Sequence, residues 1–115
     1  MEQYKQVLRK YLPPGTESII VNWLQKYRIH LHVSKSRVTK LGDFRPPVNG
    51  EPNRITVNYN LNPYSFLITL VHEIAHVEVW LNYKNRVKPH GREWKSLFGE
   101  KLNEVLDGNQ FPLDI

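Results

Sequence analysis

One long amphipathic segment places the strongest constraint on how this chain folds. Asn62 and Pro63 form a favourable helix start, because Asn is a good N-cap and Pro suits the first helical position. After them, apolar residues recur every three or four positions, which predicts a core-facing helix over about residues 63–84. These apolar residues are Phe66, Leu67, Leu70, Val71, Ile74, Val77 and Leu81.

The pattern H-E-x-x-H lies inside this predicted helix, at His72-Glu73-Ile74-Ala75-His76. Residues four apart share one helical face, so His72 and His76 can bind one Zn²⁺ at about 2.0–2.1 Å each. Glu73 then lies near the water that the metal activates, where it can act as the catalytic general base. A chance match on an ordinary amphipathic helix is the alternative interpretation.

A third histidine, His90, follows in the sequence Pro89-His90-Gly91. Pro and Gly suit a loop that reverses after the helix and carries a side chain back toward it. Three protein ligands with a fourth position for water form the arrangement of a catalytic zinc site. The sequence therefore predicts one Zn²⁺ per chain, bound by His72, His76 and His90, although an exposed loop histidine is the alternative for His90.

Amide hydrolysis at such a site needs a donor for the tetrahedral oxyanion and a surface that holds the substrate. An extended peptide can add to a sheet edge, and the predicted strand at residues 54–59, next to the helix in sequence, is our hypothesis for that surface. Four side chains are suitable oxyanion or substrate contacts, and the sequence does not choose among them. They are Tyr64, Tyr83, Arg86 and Arg92.

The net charge of the 115-residue chain is +5, and the positive excess is concentrated at residues 26–45 and 84–95. Both stretches have aromatic residues nearby. Basic patches attract phosphate backbones and aromatic rings stack on unpaired bases, so DNA is a candidate partner, while a solvated surface is the alternative. The candidate DNA contacts are Lys35, Arg37, Lys40, Arg45, Lys84, Lys88 and Lys95.

The composition excludes several other classes of protein. The chain has no cysteine, which excludes disulfides, a zinc ribbon and a cysteine nucleophile within these residues. The first ten residues are polar and lack a signal-peptide pattern, and no apolar run approaches the ~20 residues of a membrane span. We therefore expect one domain over residues 1–115, monomeric and cytoplasmic, with association at the nucleoid as an option and no membrane partner.

The rest of the pattern predicts an α+β fold. Alternating apolar and polar residues predict three strands, the first two joined by a turn at 34–36, in a small and mostly antiparallel sheet. His30 and His32 lie on the polar face of the first strand and are interpreted as solvent-facing, a metal pair being the alternative. The predicted strands are 29–33, 37–44 and 54–59. The other predicted helices are 2–12, 16–27 and 91–106, followed by an irregular tail at 111–115 that packs on the surface.

Two segments together resemble the SprT-like metallopeptidase domain, the group that includes the Spartan DNA–protein crosslink proteases. The first contains Leu70-Val71 and the H-E-x-x-H pattern, and the second is Lys88-Pro89-His90-Gly91-Arg92-Glu93-Trp94, which reads H-G-x-x-W. Residues 39–44, 54–58 and 62–63 are also similar in order and spacing. The resemblance covers roughly residues 16–101.

This resemblance implies a zincin-like fold in which His72, His76 and His90 bind zinc and Glu73 is the catalytic base. It also implies a peptidase that acts on DNA-bound proteins and is stimulated by DNA. Many members continue into a Cys-rich segment that engages DNA, and this sequence contains no cysteine. We therefore expect either the catalytic domain of a longer protein or a domain whose DNA binding relies on the basic stretches alone. Two other functions stay open: a nucleic-acid-binding module with a structural or vestigial zinc site, and a metallohydrolase that acts on a non-peptide amide.

Overall fold

The computed structural model describes residues 2–37 and 39–107, and its elements confirm the α+β class. The predicted tail at 111–115 lies outside the described residues. No helix in the described ranges combines the length and the apolar character that a membrane crossing requires. In chain order the elements are α1 (Glu2–Leu8), α2 (Glu17–Lys26), β1 (Ile29–Ser34), β2 (Gly42–Arg45), β3 (Asn53–Asn58), α3 (Pro63–Tyr83) and α4 (Arg92–Asp107).

The three strands form a mixed sheet in the order β1-β3-β2. β3 pairs in parallel with β1 and antiparallel with β2, so the prediction of a mostly antiparallel sheet is wrong. Because β3 is paired on both sides, the hypothesis that residues 54–59 receive an extended peptide is also wrong. The edges of this sheet are β1 and β2. Ile55 and Val57 are fully buried, which explains the central position of β3.

The hairpin predicted between the first two strands does not form, because side chains hold the chain that follows β1. The buried Asn58 donates through Nδ2 to the carbonyl of Lys40 at 2.9 Å, and its Oδ1 accepts from Arg37 Nε at 2.8 Å. These hydrogen bonds compete with a strand ladder. The strand predicted at 37–44 is therefore reduced to Gly42–Arg45.

Helices cover one face of the sheet and leave the other exposed. α2 contacts β1, and α3 contacts β2 and β3. The core includes Phe66, Leu70 and Ile74 of α3, all fully buried, as the apolar period predicted. His30 and His32 are exposed on the opposite face, which confirms their interpretation as solvent-facing side chains.

The ends of α3 are defined by specific hydrogen bonds. The Asn62 side chain accepts from the Ser65 backbone N–H at 2.9 Å, which confirms the predicted N-cap. At the other end Lys84 has a φ of 55° and a ψ of −130°, well outside the helical region, so the helix ends at this residue. Arg86 Nε then donates to the Tyr83 carbonyl at 2.8 Å, satisfying one of the exposed terminal carbonyls.

A buried lysine joins α4 to the rest of the helical layer. Lys101 Nζ donates to the Glu78 carboxylate of α3 and to the Tyr27 hydroxyl at 3.0 Å. The same ammonium lies 5.1 Å from the Trp23 ring centroid and 4.8 Å from that of Tyr27. These contacts fix the position of α4 against α2 and α3.

Replacing Lys101 by Met is expected to lower the free energy of unfolding by about 2–4 kcal/mol, because Glu78 loses its buried partner. Burial alone raises the pKa of Glu78, but the hydrogen bonds from Lys101 and Tyr27 outweigh it and leave that pKa lowered. The stabilisation is therefore present above the ordinary glutamate pKa and is lost as the pH falls through the lowered one. Urea unfolding at neutral and acidic pH measures this difference. Lys95→Met, an exposed change on α4, should stay within about 0.5 kcal/mol of wild type.

Candidate metal centre

Three histidine rings converge where α3 faces the loop that precedes α4. His72 and His76 lie on α3, and His90 lies in the loop. Their Nε2 atoms are 3.2 Å (His72–His76), 3.1 Å (His76–His90) and 3.3 Å (His90–His72) apart. Among the described residues they form a group that could hold a metal ion.

This triangle of nitrogens fits a tetrahedral metal ion. Two nitrogen ligands at about 2.0–2.1 Å from zinc lie about 3.3–3.4 Å apart at the tetrahedral angle, close to the observed separations. A neutral imidazole has one ring proton, so three mutually adjacent Nε2 atoms cannot all be satisfied by hydrogen bonds to one another. A cation satisfies all three lone pairs together. Imidazole also suits metals other than zinc, so the fit supports a divalent metal site without fixing the element.

The environment of the rings favours their neutral, metal-binding state. Burial, followed by the charges of His72 and His90, lowers the pKa of His76 to about 4. Burial and then His90 also lower the pKa of His72. Both rings are consequently neutral near pH 7 without a metal, and little proton release opposes metal binding.

The Glu73 carboxylate is buried beside this group, with Oε2 3.8 Å from His72 Nε2. Burial, and then the negative charge of Asp43, raises the pKa of Glu73 to about 7, while Arg37 and Lys40 act in the opposite direction. A carboxylate whose pKa lies near the working pH suits general acid–base chemistry. The role of Glu73 as the catalytic base stays a prediction.

Trp94 is a component of the site to which the sequence analysis assigned no role. Its Nε1 donates to the His72 carbonyl at 3.2 Å, and its ring centroid lies 4.8 Å from those of His72 and His90 and 5.3 Å from that of His76. Phe98 stacks behind it at 4.8 Å. Trp94 therefore holds the three imidazoles in place, as groups around metal ligands commonly do. The sequence feature that could have indicated this role is its position four residues after His90.

Two glycines allow close packing at the site. A Cβ on Gly42 would lie 2.8 Å from Thr69 Cγ2 and 3.0 Å from the Thr56 carbonyl oxygen, and 3.6 Å from Glu73 Cγ. β2 can therefore approach α3 closely beside Glu73. A Cβ on Gly91 would lie 3.2 Å from Lys88 Cβ, so a tight turn, rather than a left-handed backbone, explains the glycine after His90.

Gly42→Ala is expected to destabilise the protein by about 1–3 kcal/mol, because β2 and α3 must separate to admit the methyl group. The displacement adjoins Glu73, so any cleavage that depends on this carboxylate should fall as well. Thermal unfolding and a cleavage assay test both effects. Gly99→Ala is the matched control: its Cβ meets nothing within 4 Å, and alanine favours a helix, so this change should be neutral or stabilising. Equal stability of the two variants would contradict the close approach at Gly42.

The predicted oxyanion or substrate contacts lie at the ends of the two helices. Tyr64 is in the first turn of α3, and Arg92 begins α4 two residues after His90. Tyr83 ends α3, and Arg86 donates to the carbonyls of Tyr83 and Asn82. No role is assigned to any of them by these positions, and all four stay predictions.

The candidate DNA contacts fall into two groups. One group adjoins the sheet, where Arg37 and Lys40 form ion pairs with Asp43 at 3.2 and 2.9 Å. Part of their charge is therefore neutralised locally. The other group lies in and beside the loop that carries His90. The first group is Lys35, Arg37, Lys40 and Arg45, and the second is Lys84, Lys88 and Lys95.

Comparison with known proteins agrees with this geometry. The sequence matches the model of the SprT-like family over residues 4–114. No curated protein and no solved structure matches the chain. The family match spans every element that brings His72, His76 and His90 together, and the chain belongs to the SprT-like family.

Proposed function

We propose that this chain is a zinc-dependent metallopeptidase of the Spartan type, with a zincin-like fold, which cleaves DNA-associated proteins. The observation that carries the proposal is the convergence of three imidazole nitrogens, 3.1–3.3 Å apart, beside the buried carboxylate of Glu73. Membership of the SprT-like family, which is associated with metallopeptidase-like domains, supports the same reaction class.

Each part of the site has a task in this mechanism. Zinc held by His72, His76 and His90 would supply Lewis-acid activation of the attacking water and the scissile carbonyl. Glu73 accepts the proton of the water and delivers it to the leaving amine. Trp94 keeps the imidazoles oriented and shields them from solvent on one side.

The sheet offers a position for the substrate that replaces the one predicted from sequence. β2 is an edge of the described sheet, and Gly42 places it against α3 beside Glu73. An extended peptide that adds to β2 by backbone hydrogen bonds would lie along the active-site helix. In this proposal β2 aligns the chain to be cut.

Nucleic acid is the proposed second partner. The net charge of +5 and the two groups of basic residues support attraction of a phosphate backbone. The proposed setting is the cytoplasm, at the nucleoid, with the protein acting as a monomer. A purely structural zinc site usually has four protein ligands, whereas three side chains converge in the described part of this chain, and this favours catalysis over a binding module.

Metal removal tests the proposal directly. Zinc-loaded protein is mixed with a basic DNA-binding protein, with and without single-stranded DNA, and cleavage is followed by gel electrophoresis. We expect cleavage that stops in a chelator, returns with added Zn²⁺ and increases with DNA. Circular dichroism of the chelated protein controls for unfolding. Cleavage by metal-free protein would reject the metallopeptidase, and DNA binding without cleavage of any protein would favour the binding module.

A further inference from the structure

The exposed face of the sheet carries an ordered array of polar side chains. In the strand register His30 lies opposite Arg54, which lies opposite Arg45 on the other side. Two residues further along, a second row crosses the same face. The second row is His32, Thr56 and Asp43.

These side chains and Arg37 line a cleft of about 390 Å³. The charged residues that line it are three arginines and one aspartate. Asp43 is paired with Arg37 and with Lys40, so its negative charge is offset within this group. The guanidinium of Arg37 donates to Asn58 and to Asp43, which leaves Arg45 and Arg54 as the exposed cations of the cleft.

A second groove, of about 590 Å³, lies at the end of β1, with Tyr11, Val33 and Tyr59 in its lining. Ser36 of the groove and Arg37 of the cleft are neighbours in the chain, with Cα atoms about 3.8 Å apart. Tyr59 lines the groove with 55% of its surface exposed, and its backbone N–H donates to the Ser34 carbonyl at 2.8 Å. An exposed, anchored aromatic ring beside Lys35 is a suitable platform for an unpaired base.

We propose that single-stranded nucleic acid binds across the exposed face of the sheet, with its phosphates on Arg45 and Arg54 and a base stacked on Tyr59 at the end of β1. The inference rests on the proposed function for its nucleic-acid partner and is independent of the peptidase chemistry. α3 packs on the opposite face of the sheet, so nucleic acid bound here leaves the histidine group accessible. The nucleic acid would thus tether the enzyme through the face of the sheet opposite the histidine group, while the peptide adds to the edge of β2.

Fluorescence anisotropy of a labelled thymine oligonucleotide with zinc-loaded protein tests the phosphate contacts. Arg45→Gln/Arg54→Gln is compared with Lys10→Gln/Lys26→Gln; each pair removes two exposed cations and lowers the net charge from +5 to +3. We expect Arg45→Gln/Arg54→Gln to lose affinity for the oligonucleotide roughly tenfold or more, and the lysine double variant to keep it. The slope of log K against log salt should fall by about 1.4, two single-strand contacts at ~0.7 each. Equal affinity of the two double variants would overturn the inference.

Tyr59→Leu separates base stacking from charge. Affinity for the oligonucleotide should fall roughly tenfold, while affinity for inorganic polyphosphate, which has no base, should be unchanged. Arg45→Gln/Arg54→Gln should lower the affinity for both ligands. An unchanged oligonucleotide affinity for Tyr59→Leu would overturn the stacking contact. Equal competition by polyglutamate would show a general anion surface and also reject the inference. Thermal midpoints of all variants confirm that they are folded.

The same measurement on Glu73→Gln separates this inference from the proposed activity. Glu73→Gln should keep the oligonucleotide affinity of the wild type. If the zinc-loaded wild type binds the oligonucleotide through Arg45 and Arg54 but cleaves no protein, the binding face is supported and the peptidase is rejected. Chelator-sensitive cleavage would support the peptidase. If oligonucleotide binding by the same protein does not depend on Arg45 or Arg54, the binding face is rejected.

Discussion

Replacing His90 by alanine is expected to weaken zinc binding by at least about 100-fold, because one of three converging ligands is lost. The other two nitrogens, on His72 and His76, cannot complete a tetrahedral catalytic site by themselves. Bound metal stabilises the folded state by about 2.7 kcal/mol when its free concentration is 100 times Kd, and the variant should lose that gain. Calorimetric titration with Zn²⁺ and thermal unfolding with and without the metal measure both effects.

His30→Ala is the matched control, since it removes an exposed histidine from the other face of the sheet. It should retain one zinc per chain with the affinity of the wild type. If His90→Ala also binds one zinc per chain with wild-type affinity, the loop histidine is not a ligand and the catalytic centre must be reassigned.

Glu73→Gln is expected to reduce cleavage by about 10²–10⁴-fold while zinc stays bound, because the proton acceptor is lost and the three nitrogens are not. The same change should stabilise the metal-free protein at high pH. Burial, followed by the charge of Asp43, raises the pKa of Glu73 from 4.5 to about 7, so ionising this carboxyl opposes folding. Wild type therefore loses stability as the pH rises between these values, and the glutamine variant does not.

The stability gain of Glu73→Gln should reach roughly 1–3 kcal/mol above pH 7 and vanish below the ordinary glutamate pKa. Unfolding of both proteins in chelator, over this range of pH, measures the stability difference. Cleavage is assayed on the zinc-loaded proteins. Glu51→Gln, an exposed change in the loop before β3, should alter neither cleavage nor stability. Wild-type cleavage by Glu73→Gln would remove this carboxylate from the mechanism.

The local parts of the site were predictable because they depend on short-range geometry. A three- and four-residue apolar period defines α3, and the i, i+4 spacing places His72 and His76 on one face of it. The approach of His90 to these two histidines was predictable because the loop after α3 is short enough to return the chain to the helix. Trp94 could be placed in the core by its apolar character, but its contacts with all three rings depend on how α4 docks.

The sheet was less predictable because its pairing joins distant segments. Alternation identifies β1 and β3 as strands but does not distinguish a parallel pair from an antiparallel one. The chain between β1 and β2 follows the side-chain hydrogen bonds of Asn58, which are invisible to a periodicity argument. The burial of Lys101 is equally unexpected, because lysine is seldom buried and its partners Glu78 and Tyr27 are distant in sequence.

The indole of Trp94 touches all three imidazoles while its helix is pinned by Lys101, so cofactor loading and the docking of α4 are thermodynamically linked. Contacts that hold α4 in place also orient the metal ligands and so favour metal binding. By linkage, metal binding stabilises the docked position of α4 by the same free energy. In a chain without cysteine, a bound ion would then join the middle of the fold to its last described helix.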